Sequence, residues 1–320
     1  MDVLILGGAG YLGTVLATQA LRADYRVNIV DNLLYDQGQA LHHFDCFDKC
    51  RITVGDVRDV ESYRRKLERA DVVIHLAALV GAPTCEQHKE MATEVNRDSV
   101  ANVVKLLSHS QRFLFPNTNS GYGTVAAGQC TEETPMNPIS HYGVTKMEAE
   151  TIALSHPMAT VLRLATVFGV SPRMRLDLLV NTLTYRAYFD KEIKVFDGDL
   201  RRNYVHVQDV ARAFLWLFDK QFTFGQVYNL GDDAANMTKL ALAKRIARLA
   251  DAAVVPCDGA DPDRRDYLVS SAKLAKAGFV TTNNFDMGIR ELLDWCRTLP
   301  AEPARREAVV ERMSTTCAHR

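Results

Sequence analysis

Short apolar runs alternate with helical patterns along the first half of the chain. Val3 to Leu6 is unbroken and apolar, the pattern of a strand buried on both faces of a parallel sheet. Thr14 to Ala23 then reads as a helix, and Tyr25 to Val30 as a second strand ending at Asp31. Ile52 to Val54 predicts a third strand, Val60 to Ala70 a helix, Asp71 to Leu76 a fourth strand, and Met91 to Ser108 a helix. Phe113 to Phe115 and Thr160 to Ala165 predict the fifth and sixth strands, with a helix over Tyr142 to Ser155 between them. Such alternation defines an α/β fold built on a parallel sheet. Further on, Leu178 to Tyr188 and Lys239 to Ala250 read as helices, and Val227 to Gly231 as a late strand.

The first strand runs into Gly7-Gly8-Ala9-Gly10-Tyr11-Leu12-Gly13, where Gly7, Gly10 and Gly13 keep a GxxGxxG spacing. Strand, glycine turn, helix, strand and terminal acid together are the signature of a dinucleotide site. The glycines let backbone approach a pyrophosphate, and the helix N-terminus offers it free N–H groups. Asp31 stands where a carboxylate accepts the hydroxyls of the adenine ribose and repels a 2′-phosphate, which favours NAD over NADP. Asp56 follows the third strand; it could accept from the adenine amino group, cap the next helix, or do both. The small residues Ala77, Ala78 and Gly81 let the chain pass close to a cofactor.

Composition narrows the class further. The chain has 320 residues, 47% hydrophobic and 24% charged, with a net charge of −1, so no basic field points to nucleic acid or an anionic membrane. Apolar runs stop well short of the ~18 residues of a membrane helix. The N-terminus lacks a basic region and a cleavage site. Seven cysteines are scattered without CxxC or zinc spacing, which predicts free thiols in the cytoplasm and no metal.

The chemistry falls on Ser140 to Lys146. On a helix, Tyr142 and Lys146 lie one turn apart on one face. An ammonium beside a phenol favours the phenolate, so Tyr142 is expected to move a proton near neutral pH. Thr118 follows the fifth strand, at the carboxyl end where ligands bind in an open parallel sheet. Its hydroxyl is a third candidate, for holding a substrate oxygen.

GGAGYLG, Asp31, Asp56, His75-Leu76-Ala77-Ala78, Asn96, Thr118 followed by Tyr122-Gly123, and Tyr142 with Lys146 together resemble the extended short-chain dehydrogenase/reductase superfamily. Its members are NAD-dependent sugar-nucleotide epimerases, dehydratases, decarboxylases and oxidoreductases. The resemblance implies a Rossmann-type sheet with a smaller, discontinuous C-terminal substrate domain. The expected division gives residues 1–168 and about 203–231 to NAD, about 169–202 and 232–300 to the sugar nucleotide, and leaves 301–320 as a tail. It assigns acid/base chemistry to Tyr142, the ribose anchor and pKa tuning to Lys146, and the sugar oxygen to Thr118. Cofactor contacts are implied for Gly7, Gly10, Tyr11, Leu12, Gly13, Asp31, Asn32, Asp56, Val57, Leu76, Ala77, Ala78, Asn96 and Val167.

For the substrate, the resemblance implies a nucleotide-diphosphate sugar held by Val80, Asn119, Ser120, Arg175, Asn181, Arg202 and Arg265. Arg202 lies in a stretch similar to the family's RDYIHVDDV, and Arg265 within Asp263-Arg264-Arg265-Asp266-Tyr267. A dehydratase carries Asp-Glu after the catalytic threonine; here Asn119 and Ser120 stand there, and neither ionises near neutral pH. Oxidation at C4 is therefore expected, with a released ketone or a C4 epimer as outcomes, and dehydration is not. A catalytically silent NAD or nucleotide-sugar binder would show damage in Thr118, Tyr142 or Lys146, and all three are present. The segments around Asn117 to Gly123 and Ser171 to Asn181, with Asp261 to Asp263, resemble a bacterial branch containing GDP-manno-heptose 4-dehydrogenases. The family also pairs the helices at Met91–Ser108 and Tyr142–Ser155 between subunits, which implies a homodimer.

Overall fold

The computed structural model describes residues 1–125, 128–257, 265–303 and 306. In chain order the strands are β1 (Asp2–Leu6), β2 (Arg26–Asp31), β3 (Cys50–Val54), β4 (Val72–His75), β5 (Arg112–Thr118) and β6 (Ala159–Leu164), then β7 (Thr166–Phe168), β8 (Glu192–Val195), β9 (Arg201–His206), β10 (Gln226–Leu230), β11 (Asp232–Thr238) and β12 (Ala253–Pro256). Seven of them form one sheet in the order β10-β6-β5-β4-β1-β2-β3. Every neighbouring pair in it is parallel. This is the Rossmann-type α/β architecture expected from the sequence, with β1 an interior strand between β4 and β2.

Alternation along the strands builds two apolar layers. Val3, Ile5, Leu114 and Leu162 face one layer; Leu4, Leu6, Phe113, Phe115 and Val161 face the other. All nine are buried, as a sheet covered on both faces requires. The order reverses direction at β1, with β2 and β3 on one side and β4, β5 and β6 on the other. The crevice at that switch point, beyond the carboxyl ends of the strands, is where such sheets bind ligands.

The late strand β10 returns to the large sheet beside β6. Strand β9 does not; it joins β7 and β11 in a three-stranded sheet, and β8 pairs with β12. Two expected helices are broken. Val60 to Ala70 is a 3-10 turn at Val60–Ser62 followed by a helix at Arg64–Arg69. Met91 to Ser108 is interrupted by a π-helical turn at Glu94–Asp98, between helices Lys89–Thr93 and Ser99–Leu106. The wide turn sets Asn96 inward, where it donates to Leu79 O at 3.0 Å and accepts from Leu79 N at 2.7 Å. A π turn of this kind commonly marks a functional position. Among the described residues, no helix is long and apolar enough to cross a membrane.

Candidate active site

A cavity of about 610 Å³ opens along the crevice, running from the glycine turn past Tyr142 to a group of arginines. At its cofactor end, Gly7 has φ +83° and passes so close to the chain after β4 that a Cβ would lie 2.5 Å from Ala77 N. Leu76 and Ala77 both donate their N–H to Leu6 O at 2.8 Å, which locks the two strand ends together. The helix Tyr11–Arg22 starts at Gly10 without a side-chain cap, so its first N–H groups are open to an anion. Gly7, Gly10, Tyr11, Leu12, Gly13, Asn32, Val57, Leu76, Ala77, Ala78 and Val167 line this part, with Asp31. These residues fit a dinucleotide: bare backbone donors for its pyrophosphate and a carboxylate at the end of β2.

Asp31 is more fully engaged than its position in the sequence suggests. One oxygen accepts from Ala9 N at 3.0 Å, and the other from Leu33 N and Gln37 Nε2, both at 2.9 Å. Burial raises its pKa, and these donors oppose the rise. A carboxylate has about four lone-pair sites, so one is left for a ribose hydroxyl unless Gln37 turns away. Asp31→Ala removes that acceptor and loosens the turn. The expected result in a binding titration is NAD weakened about ten- to a hundredfold, with the gap to NADP narrowed. Equal affinity of the unaltered protein for both cofactors would remove Asp31 from this role.

The helix His141–Leu154 is capped by Ser140, whose side chain accepts from Gly143 N at 3.2 Å. It brings Tyr142 and Lys146 to the wall of the cavity that Thr118, at the end of β5, also lines. Thr118 Oγ1 accepts from Ser120 N at 3.1 Å and lies 2.8 Å from Ser120 Oγ. The tuning of Tyr142 differs from the expectation. Burial pushes its pKa up to about 12, and Arg175 and Arg265 are the cations opposing that rise. Lys146 is itself pushed down to about 7 by burial, with Glu150 opposing, and its ammonium sits 3.9 Å from the centroid of the Phe115 ring.

Val80, Arg175, Arg202 and Arg265, the other residues implied for the substrate, line the same cavity. Arg173, Lys239, Tyr35 and Gln37 line the cavity too and were not foreseen, because no motif marks them. Five of the predicted residues do not line it. Asn96 supports the Leu79 backbone. Asn181 donates to Arg175 O at 2.9 Å and accepts from Gly169 N at 3.1 Å, so it braces the loop that carries Arg175. Asp56 turns away to Arg58 and Asn32, and the arginine holds its pKa down at about 2. Asn119 and Ser120 are buried behind Thr118. Asp261 to Arg264 and most of the tail lie outside the described residues.

A Rossmann sheet with a glycine turn, an acid at the end of β2 and a Tyr/Lys pair sharing one cavity with a threonine hydroxyl defines a nicotinamide-dependent enzyme of the short-chain type. The chain belongs to the NAD dependent epimerase/dehydratase family, which it matches over residues 3–231. The family makes NAD its cofactor and nucleotide-sugar chemistry its business. It is 27% identical to the low-salt glycan biosynthesis protein Agl12 of Haloferax volcanii, over 92% of this chain and 98% of that one. It is 26% identical to a dTDP-glucose 4,6-dehydratase of Streptomyces niveus, over 93% of each. Its fold matches that of a UDP-glucuronic acid 4-epimerase from Bacillus cereus, with a TM-score of 0.82 at 21% identity, over 93% of this chain and 99% of the other.

Proposed function

We propose that the protein oxidises C4 of a nucleotide-diphosphate sugar and releases the ketone or its C4 epimer without loss of water. The observation that carries this reading is one continuous cavity holding the glycine turn, the Thr118, Tyr142 and Lys146 set, and Arg175, Arg202 and Arg265. NAD, when bound, supplies the hydride acceptor. Tyr142 takes the proton of the C4 hydroxyl, Thr118 orients that oxygen, and Lys146 lies one turn along the same helix to hold the cofactor ribose. Guanidinium groups suit diphosphate oxygens, which they meet in bidentate fashion. Dehydration needs an acid and a base beyond Tyr142. Asn119 and Ser120 ionise at no ordinary pH and lie off the cavity wall, which supports leaving that step out.

The resemblance in Asn117 to Gly123 and Ser171 to Asn181 makes GDP-manno-heptose the first substrate to try. The test is incubation with GDP-, UDP-, CDP- and dTDP-sugars, GDP-manno-heptose included, while NADH absorbance and product mass are followed. The expected product is two mass units lighter than the substrate or isomeric with it. A product lighter by one water would overturn the argument from Asn119 and Ser120.

A further inference from the structure

Behind the catalytic set lies a buried chain of polar groups that its chemistry, as described above, does not use. Glu150 and Arg163 face each other with side chains 8% and 7% exposed. Arg163 Nη2 donates to Glu150 Oε1 at 2.6 Å, and Nε to Oε2 at 3.1 Å. Arg163 Nη1 donates to Tyr122 OH at 2.9 Å, and that hydroxyl donates to Asn229 Oδ1 on β10 at 2.7 Å. On the other side, Asn117 Nδ2 donates to Glu150 Oε2, and Asn117 Oδ1 accepts from Thr118 N at 2.8 Å. The chain thus ends on the backbone of the catalytic threonine. Glu150 also lies one helical turn beyond Lys146, and its charge acts on that ammonium.

We propose that Glu150 is a positioning residue that ties Thr118 and Lys146 into one unit, holding the first through Asn117 and keeping the second charged across one turn of helix. The inference rests on the catalytic assignment of Thr118 and Lys146 made above. A buried ion pair adds little stability compared with apolar side chains of the same volume, so stability alone does not account for this one. The other groups facing Lys146 cannot replace Glu150. His75 on β4 is neutral, pushed down to about 3 by burial and by Lys146. Cys85, on the helix Ala82–Gln87, has its thiol pushed up to about 11 by burial. Phe115 on β5 offers a ring face. Among these neighbours, the Glu150 carboxylate supplies the formal negative charge. Arg163 in turn holds that carboxylate by two hydrogen bonds, and the Tyr122 hydroxyl and Glu132 O accept from Arg163 Nη1.

The test reads the protonation of Lys146 directly and needs no substrate. Trace acetylation with acetic anhydride, quantified peptide by peptide by mass spectrometry across a pH series, gives the midpoint at which each lysine becomes reactive. In the unaltered protein Lys146 is expected near its depressed value of about 7. Glu150→Gln keeps the shape and removes the charge. It should move the Lys146 midpoint about one pH unit lower. Asn117→Ala cuts the branch to Thr118 but leaves the charge, so the Lys146 midpoint should hold. If Glu150→Gln does not fold, the double variant Glu150→Gln with Arg163→Met avoids a buried unpaired guanidinium; the Arg163 charge that opposes Glu150 leaves with it, so the Lys146 midpoint should still fall, by less than in the single variant. A Lys146 midpoint unchanged in either Glu150 variant, or lowered to the same extent by Asn117→Ala, would overturn the proposal. Failure to find any sugar substrate would count against the proposed function and leave this measurement standing.

Discussion

Tyr142→Phe is expected to lower turnover about 10²–10⁴-fold and to leave NAD affinity unchanged. The ring survives the substitution, and it packs among Leu79, Cys85 and Ala92, so the helix and cavity wall keep their shape. Only the proton carrier is lost. The pH dependence follows from the surroundings of the phenol. Burial pushes its pKa up to about 12, so the phenolate needed for alcohol oxidation is scarce at neutral pH. The rate in that direction should rise as pH rises. Arg175 and Arg265 pull the pKa down, so Arg175→Met should move the rising limb to higher pH. Stopped assays at several pH values, read as NADH formed, check both statements. Full turnover by Tyr142→Phe would remove Tyr142 from the mechanism.

The parts of the site that the sequence made legible are those fixed by local geometry. The glycine turn, the acid at the end of β2 and the Tyr142/Lys146 spacing each follow from a short stretch whose backbone the fold constrains. What escaped depended on distant packing. Arg173 and Lys239 reach the cavity from loops and helix starts with no recurring pattern around them. Asn181 is implied as a ligand contact by the resemblance alone, yet its amide bonds the backbone of Gly169 and Arg175 and lies 3.5 Å from the Tyr11 hydroxyl. The tuning of Tyr142 was misjudged for a related reason. Sequence spacing gives the proximity of Lys146 but not its burial, and burial governs both groups here. The π turn at Asn96 was invisible because apolar periodicity continues across it; a single inward amide reshapes the helix.

Gly13→Ala should remove most cofactor binding. Gly13 lies in the first turn of the helix Tyr11–Arg22. A Cβ there would stand 2.6 Å from Gly7 O and from Gly8 Cα, and 2.7 Å from Gly8 O. All three are backbone atoms, so no side chain can swing aside. Either the helix start lifts away from the turn or the turn opens, and both displace the N–H groups that would meet the pyrophosphate. Overpacking of this kind costs about 1–3 kcal/mol of stability, which a protein with this core survives. Loss of charge-assisted bonds to phosphate adds about 1.5–3 kcal/mol for each donor displaced, so NAD affinity should fall at least tenfold and more than a hundredfold if two are lost. Gly38→Ala is the matching control. Its Cβ would meet nothing nearer than Leu33 Cδ1 at 3.9 Å, so it should keep both fold and NAD affinity. Isothermal titration with NAD, beside a thermal melt of each variant, separates the effects. A folded Gly13→Ala protein that bound NAD as tightly as its parent would show that the pyrophosphate does not rest on this helix.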